Sequence, residues 1–191
     1  MRWEGVAEDR FRKKIDDADW IRRSFLAAPS IEPVREDGVY PGQGQFRPAA
    51  VLVPVVIHPE RPAVLLTRRT DHLHNHPGQV SFPGGRVEKT DLSPVMTALR
   101  ETEEEIGLDP ERIELLGDLP TYFTGTGFSI TPVVGLVHLP FELKLDTFEV
   151  AEAFEVPLAH FLDPANHRRE RREYKGRIRE YYAMPYDNHF I

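Results

Sequence analysis

Four carboxylates within five residues are the densest group of reactive side chains in the sequence. Glu101, Glu103, Glu104 and Glu105 lie in residues 97–107, a segment with the composition of a helix. Since a helix turns by about 100° per residue, Glu101, Glu104 and Glu105 share one face. Carboxylate oxygens suit Mg²⁺ and Mn²⁺, so this face predicts a divalent-cation site. The alternative is an acidic helix face that is simply solvated.

Like charges at this spacing need compensation. Carboxylates at i,i+3 and i,i+4 destabilise a helix by about 0.2–0.5 kcal/mol per pair, and these lie near its C-terminal end, where anions are unfavourable. Arg100 can reach Glu104 one turn later, and a hard cation would compensate more. The opposite face carries Val95, Leu99 and Ile106 and is expected to be buried.

A glycine pair precedes this helix in Phe82-Pro83-Gly84-Gly85. Glycine lets the backbone approach a ligand or a metal closely. A backbone carbonyl at this turn could complete an all-oxygen site. Such a site can bind substrate phosphates through the cation, which is the chemistry of phosphate-processing enzymes.

The composition excludes other kinds of site. The chain has 191 residues, 40% hydrophobic and 29% charged, with a net charge of −7 and no cysteine. Disulfides, zinc–thiolate centres and cysteine nucleophiles are therefore excluded, and nucleic-acid binding is not expected of an acidic chain. Residues 49–57 form the longest apolar run, too short for a membrane span. The N-terminus lacks the apolar stretch of a secretory signal, so a cytoplasmic location is expected.

Predicted strands and helices alternate along the chain around the acidic helix. Strands are predicted over residues 49–58, 62–69, 79–85, 113–124 and 128–140, and helices over 7–26, 92–107 and 149–162, with a loop over 28–48. This order favours an α+β fold, an α/β/α sandwich with a central mixed sheet flanked by helices. One domain is expected, with an N-terminal helix and connecting loop over 1–45 and the main unit over 46–191.

Residues 100–108, with the sequence RETEEEIGL, resemble the second half of the Nudix hydrolase signature. That half runs Arg-Glu-apolar-x-Glu-Glu-x-Gly-apolar, and Thr102 stands at its first apolar position. In the first half, Asp91 follows Gly85 at the place of the usual glutamate. The gap from Asp91 to Arg100 is one residue longer than in the generic pattern.

A second motif resembles the coenzyme A pyrophosphatase branch of this family. The run LLTRRT over residues 65–70 is followed by His74, Gly78 and the FPGG of residues 82–85, at the spacing of that branch. Thr70 stands where the branch has serine, and His74 stands where it has arginine. The second change replaces a permanent cation by a titratable ring.

The resemblance implies a metal site on the acidic helix. Glu101 and Glu105 would be the principal ligands of Mg²⁺ or Mn²⁺, and Glu104 would be a further ligand or hold a bridging water. The Gly84 carbonyl would be a backbone ligand. Arg100 would orient the carboxylates, so that Glu104, Arg100 and Glu101 form the expected catalytic group.

The general base is open among Glu104, Glu149 and Glu152. For the substrate, the resemblance and the charge pattern indicate a set of binding residues, namely Arg69, His74, Gly85, Arg168 and Arg169. The last two open a basic tail that would either contact a phosphate or form a solvated face with local ion pairs.

The resemblance implies hydrolysis of the diphosphate of coenzyme A or its derivatives, giving 4′-phosphopantetheine and adenosine 3′,5′-bisphosphate. Expected partners are this small molecule and a second copy of the chain in a homodimer, but neither nucleic acid nor a membrane. The alternatives are another diphosphate, such as ADP-ribose or NADH, and a catalytically silent nucleotide-sensing Nudix domain. A purely structural acidic helix would not account for two motifs in the right order and spacing.

Overall fold

The computed structural model describes residues 18–28, 32–35, 46–73, 76–174 and 177–191. Within them the chain forms three α-helices, two short 3₁₀ turns and eleven strands. The helices are α1 (Ala18–Leu26), α2 (Pro94–Ile106) and α3 (Leu158–Leu162), and the 3₁₀ turns are Pro110–Arg112 and Pro164–Asn166. The strands are β1 (Val34–Arg35), β2 (Arg47–Val56), β3 (Ala63–Arg69), β4 (Val80–Ser81), β5 (Gly84–Arg86), β6 (Ile113–Asp118), β7 (Tyr122–Phe123), β8 (Phe128–Val137), β9 (Val150–Pro157), β10 (Arg168–Tyr174) and β11 (Arg177–Ala183).

Nine strands form one mixed sheet around β2. The order is β1-β7-β8-β2-β3-β4, while β5 pairs with β2, β6 with β8 and β9 with β3. β2 runs parallel to β8 and antiparallel to β3 and β5. Because β5 pairs with β2 through Gly84 and Gly85, the glycine pair lies directly beside the central strand.

Helices cover both faces of this sheet. Alternate residues of a strand point to opposite faces, so Leu52 of β2 packs with Ile106 of α2, while Val55 packs with Ile21 of α1. On the same face as α1, Val64 of β3 packs against α3 and the C-terminal residues. Burial of each such aliphatic side chain contributes about 1.5–3 kcal/mol.

The bounds of α2 follow from local chemistry at its ends. Ser93 is the N-cap, and its hydroxyl accepts the Met96 N–H at 3.3 Å. Pro94 occupies the first turn, where its missing N–H costs nothing. At the other end Gly107 takes the left-handed conformation, with φ of 68°, and donates its N–H to the Glu103 carbonyl. These caps fix the register of the acidic face.

The helix predicted over 149–162 is wrong for most of its length. Residues 150–157 form strand β9 rather than a helix, because β3 takes β9 as an antiparallel partner along its length, and Val156 is fully buried there. Helix α3 begins only after Pro157, which suits an N-terminal position. The strand predicted over 79–85 is divided into β4 and β5, and the glycine pair expected to end it in a turn lies within β5.

Two other predictions concern the chain termini. Of the helix predicted over 7–26, residues 18–26 are helical, and residues 7–17 lie outside the described residues. The basic tail forms the hairpin β10–β11, a separate two-stranded sheet. None of the helices in the described segments has the length and apolarity that a membrane crossing would require.

Candidate active site

The glycine pair lets α2 lie directly on β5. A Cβ at Gly85 would overlap the carboxylate of Glu101, and a Cβ at Gly84 would overlap the Ala50 carbonyl of β2. Gly84 also has φ of 147°, which other residues rarely adopt. Only glycine therefore fits at position 84, whereas a side chain at position 85 would displace the Glu101 carboxylate.

Glu105 is buried at the contact between α2 and β5. Its side chain is 8% exposed, and its carboxylate accepts the Gly84 N–H at 3.1 Å. The nearest cation is the Arg69 guanidinium, 3.8 Å away. Burial raises the pKa of Glu105 to about 7, with a further contribution from the Glu149 and Glu101 carboxylates. The burial of Glu105 therefore contradicts the alternative of a simply solvated acidic face.

Glu101 lies one turn earlier on the same face. Its side chain is 20% exposed, and burial raises its pKa against the opposing effect of Arg100, whose Nη2 is 3.0 Å from its Oε1. The Glu104 and Glu149 carboxylates raise the pKa of Glu101 further. Three carboxylates, Glu101, Glu105 and Glu149, therefore repel one another at this site.

Glu104 has a different environment. Its side chain is 61% exposed and accepts a hydrogen bond from Arg100 Nη1 at 3.0 Å. This i,i+4 pair is the one that the spacing predicted. In this structure Glu104 faces solvent beside Arg100 rather than the buried carboxylates.

Asp91 holds Arg100 in place. The Arg100 guanidinium donates to both Asp91 carboxylate oxygens, at 3.2 and 3.0 Å, and to the Arg86 carbonyl at 3.2 Å. Asp91 also accepts the Thr97 hydroxyl at 2.8 Å, and the Arg100 interaction keeps its pKa well below the usual range. The longer loop thus still delivers a carboxylate to Arg100, a role that residue spacing alone does not define.

The candidate bases separate clearly. Glu149 immediately precedes β9 and is close enough to Glu101 and Glu105 to raise their pKa values. Glu152 instead contacts Arg68 and His189, and the hydrogen bond from His189 lowers its pKa. Glu152 is therefore a weak base engaged elsewhere.

The end of β3 joins the second motif to the acidic helix. Thr67 donates its hydroxyl to the Ser81 carbonyl at 3.2 Å, which ties β3 to the segment before the glycine pair. Thr70 donates its N–H to the Glu149 carbonyl at 3.0 Å. Arg69, between them in sequence, is the residue that contacts Glu105.

The structure does not place two of the other predicted substrate-binding residues, Arg168 and Arg169, beside the acidic helix. His74 lies outside the described residues. Arg168 and Arg169 are exposed on β10, and Arg169 forms an ion pair with Glu180 of β11, which also pairs with Arg171. Local ion pairing was one of the two alternatives for this tail.

The donor set suits a hard divalent cation. Buried and partly buried carboxylates that repel one another are stabilised by a nearby cation, and oxygen donors are those that Mg²⁺ and Mn²⁺ prefer. Among the residues that the structure describes, no three Asp, Glu or His side chains converge tightly enough to enclose one ion. The carboxylates do not converge because each has another partner: Glu105 accepts the Gly84 N–H, and Glu104 accepts a hydrogen bond from Arg100. A metal would compete with these contacts for the same oxygens.

Comparison with known proteins gives a family and a fold. A sequence model of the NUDIX domain matches residues 46–177. The chain is 47% identical over 141 residues to the uncharacterized Nudix hydrolase NudL of Pectobacterium atrosepticum, across 73% of this chain and 68% of that protein. NudL of Shigella flexneri is 43% identical over 148 residues, across 75% and 70%. For NudL of an Enterobacter species the alignment spans 60% of the relative.

Solved structures agree on the fold. The Nudix hydrolase RenU of M. smegmatis superposes with a TM-score of 0.53 at 22% identity, over 68% of this chain and 81% of that one. At this identity the likeness concerns the fold alone. The predicted α+β sandwich with a mixed central sheet is confirmed.

Proposed function

The chain belongs to the Nudix hydrolase family, and we propose that it hydrolyses the diphosphate bond of coenzyme A or a coenzyme A derivative. As a Nudix pyrophosphatase it acts on a nucleoside diphosphate derivative, and members of this family generally use divalent metal ions. Coenzyme A as the substrate, Mg²⁺ or Mn²⁺ as the metal, and the residue roles below are proposed.

The observation that carries the substrate proposal is the contact between Arg69 and Glu105. Arg69 belongs to the motif that resembles the coenzyme A branch, while Glu105 belongs to the general family signature, and their side chains are 3.8 Å apart. A motif that specified an unrelated surface would have no reason to place its arginine beside the buried carboxylate. A cation at this position also suits a diphosphate, since a guanidinium binds phosphate oxygens in a forked arrangement.

Glu101, Glu105 and the Gly84 carbonyl are the groups that would hold the metal. When bound, the metal would neutralise the diphosphate and lower the pKa of an attacking water. Arg100 orients Glu101 and Glu104, and Asp91 orients Arg100. Arg69 would contact the phosphate that lies nearest to Glu105.

Glu149 is the base that we favour. Its charge acts on both Glu101 and Glu105 and raises their pKa values, whereas Glu152 is bound by Arg68 and His189. Glu149 would accept the proton of the attacking water, whose oxygen bonds to phosphorus while the bridging P–O bond breaks. The departing phosphate keeps that electron pair, and the products are 4′-phosphopantetheine and adenosine 3′,5′-bisphosphate.

Product analysis by mass spectrometry tests this proposal. Coenzyme A, dephospho-coenzyme A, ADP-ribose and NADH are incubated with the protein in Mg²⁺, in Mn²⁺ and in chelator, and hydrolysis in H₂¹⁸O identifies the phosphorus attacked. We expect metal-dependent 4′-phosphopantetheine from coenzyme A at a higher kcat/KM than for the other substrates. Preferential turnover of ADP-ribose or NADH would reject the coenzyme A branch, and no turnover of any compound would favour a nucleotide-sensing domain.

A further inference from the structure

Phe148 is an exposed aromatic ring on a firmly held turn. Its side chain is 65% exposed. Its N–H donates to Asp146 Oδ1 at 2.9 Å, and its carbonyl accepts the Thr70 hydroxyl at 2.8 Å. The Asp146 N–H in turn donates to the Glu105 carbonyl at 2.9 Å. These contacts fix the backbone without using the ring, so the fold itself does not require an aromatic side chain here.

The ring of Phe148 has a single aromatic neighbour in the described residues. The His72 imidazole lies with its centroid 4.8 Å away and its plane tilted by 57°. His72 is itself exposed, in the turn after β3. Together the two rings form a small aromatic surface that stays open to solvent.

This surface borders the carboxylate site. Phe148 directly precedes Glu149, whose carbonyl accepts the Thr70 N–H at 3.0 Å. Thr70, which follows Arg69, holds the Phe148 carbonyl. Because Arg69 lies 3.8 Å from Glu105, the hydrogen bonds of Thr70 anchor the turn that carries the Phe148 ring beside the carboxylate site.

We propose that Phe148, supported by His72, stacks against the planar base of the nucleoside diphosphate substrate. The inference rests on the proposed function only in needing a substrate with a base, and not in needing coenzyme A. Every base presents a π-face, so an aromatic ring on a rigid turn binds it at little entropic cost. The ring offers no hydrogen bonds, so it would contribute affinity rather than discrimination among bases.

A kinetic comparison tests the stacking. Phe148→Leu keeps an apolar side chain and removes the ring, and Phe148→Tyr keeps the ring. The matched control is Phe190→Leu, at a second exposed phenylalanine in the C-terminal segment, where neighbouring residues pack on the sheet face opposite α2. Substrates are an adenosine-bearing diphosphate that the enzyme cleaves and diribosyl diphosphate, which has no base.

For Phe148→Leu we expect KM for the adenosine substrate to rise about tenfold with kcat nearly unchanged, while KM for diribosyl diphosphate stays constant. Phe148→Tyr should retain the KM of the unaltered protein, as should Phe190→Leu. An equal rise for both substrates, or no rise for either, would overturn the proposal.

A binding measurement separates this proposal from the coenzyme A assignment. In Phe148→Trp, ADP with Mg²⁺ should quench the new tryptophan saturably, whereas ribose 5-phosphate with pyrophosphate should not; Phe190→Trp should show neither effect. The two native tryptophans give the background. Quenching in a protein that does not cleave coenzyme A would support stacking and reject the substrate. Absence of quenching would reject stacking whatever diphosphate is cleaved.

Discussion

The Asp91 carboxylate accepts two hydrogen bonds from the Arg100 guanidinium, at 3.2 and 3.0 Å. The same guanidinium lies 3.0 Å from Glu101 and 3.0 Å from Glu104. Without Asp91, the Arg100 guanidinium would lose two hydrogen bonds and could change how it contacts the two glutamates. Asp91 therefore acts as a positioning residue, since it holds the Arg100 guanidinium in place beside the Glu101 carboxylate.

We predict that Asp91→Asn lowers kcat about tenfold and raises the metal concentration needed for half-maximal activity. The magnitude is that of partners that orient metal-binding groups. Asp91→Glu keeps the charge and should recover part of the activity. Steady-state kinetics over a Mg²⁺ titration measures both effects. A variant that lost stability but kept the metal dependence of the unaltered protein would assign Asp91 a purely structural role.

A second prediction concerns the proposed metal ligands. Glu101→Gln should reduce metal-dependent turnover by at least about a hundredfold, because the amide cannot supply the negative charge that a hard cation prefers. Glu103→Gln is the matched control, since Glu103 lies on the same helix but is exposed. Turnover with Mg²⁺ and far-ultraviolet circular dichroism separate loss of activity from loss of fold. Comparable activity in the two variants would contradict the assignment of Glu101.

Much of the site could be predicted from residue types and spacing. The helix over 92–107 was predictable because Ser93, Pro94 and Gly107 give local capping signals, and its acidic face follows from helical periodicity. That Glu105 is buried was not predictable, because its burial depends on the close approach of β5, which only the glycine pair permits.

Residues 149–162 show where local pattern fails. The composition EVAEAFEV suits a helix by propensity, yet the segment is a strand because it pairs with the edge of β3 that β2 and β4 leave open. Tertiary pairing overrides propensity here. The same change of element brings Glu149 towards α2 while Glu152 faces Arg68 and His189, a distinction that sequence left open.

The general base is the subject of a third prediction. Glu149→Gln should lower kcat by about 10²–10⁴-fold and leave KM within a few fold, as expected for loss of proton transfer. Glu152→Gln is the comparison and should retain most activity, since that side chain is engaged by Arg68 and His189. Initial rates across pH 5–9 for both variants provide the measurement. Greater loss in Glu152→Gln would reverse the assignment.

The basic tail gives a fourth prediction. If β10 contributes to binding of the 3′-phosphate, the double variant Arg168→Gln/Arg169→Gln should raise KM for coenzyme A about tenfold more than for dephospho-coenzyme A. Arg171→Gln is the control, because Arg171 shares Glu180 with Arg169 and its loss disturbs the same local pairing. Equal KM changes for the two substrates would leave only the local ion pairs as the role of this tail.

The raised pKa of Glu105 gives a prediction for the metal-free protein. The folded protein holds a proton on Glu105 up to about pH 7, whereas the unfolded chain releases it near 4.5. Between these values the folded state binds more protons, so the free energy of unfolding falls as pH rises. The full shift corresponds to a loss of about 3 kcal/mol.

Urea denaturation in chelator at pH 5, 6, 7 and 8 measures this effect. Other ionisable groups also contribute to the pH dependence of stability, so the informative quantity is the difference between the unaltered protein and Glu105→Gln, which removes the titration of Glu105. We expect the unaltered protein to be the more pH-dependent of the two, with stability falling towards pH 8. Saturating Mg²⁺ should reverse that fall, because a cation at Glu105 stabilises the ionised carboxylate. Parallel pH profiles in chelator would show that Glu105 ionises normally and would remove the electrostatic argument for a metal at this position.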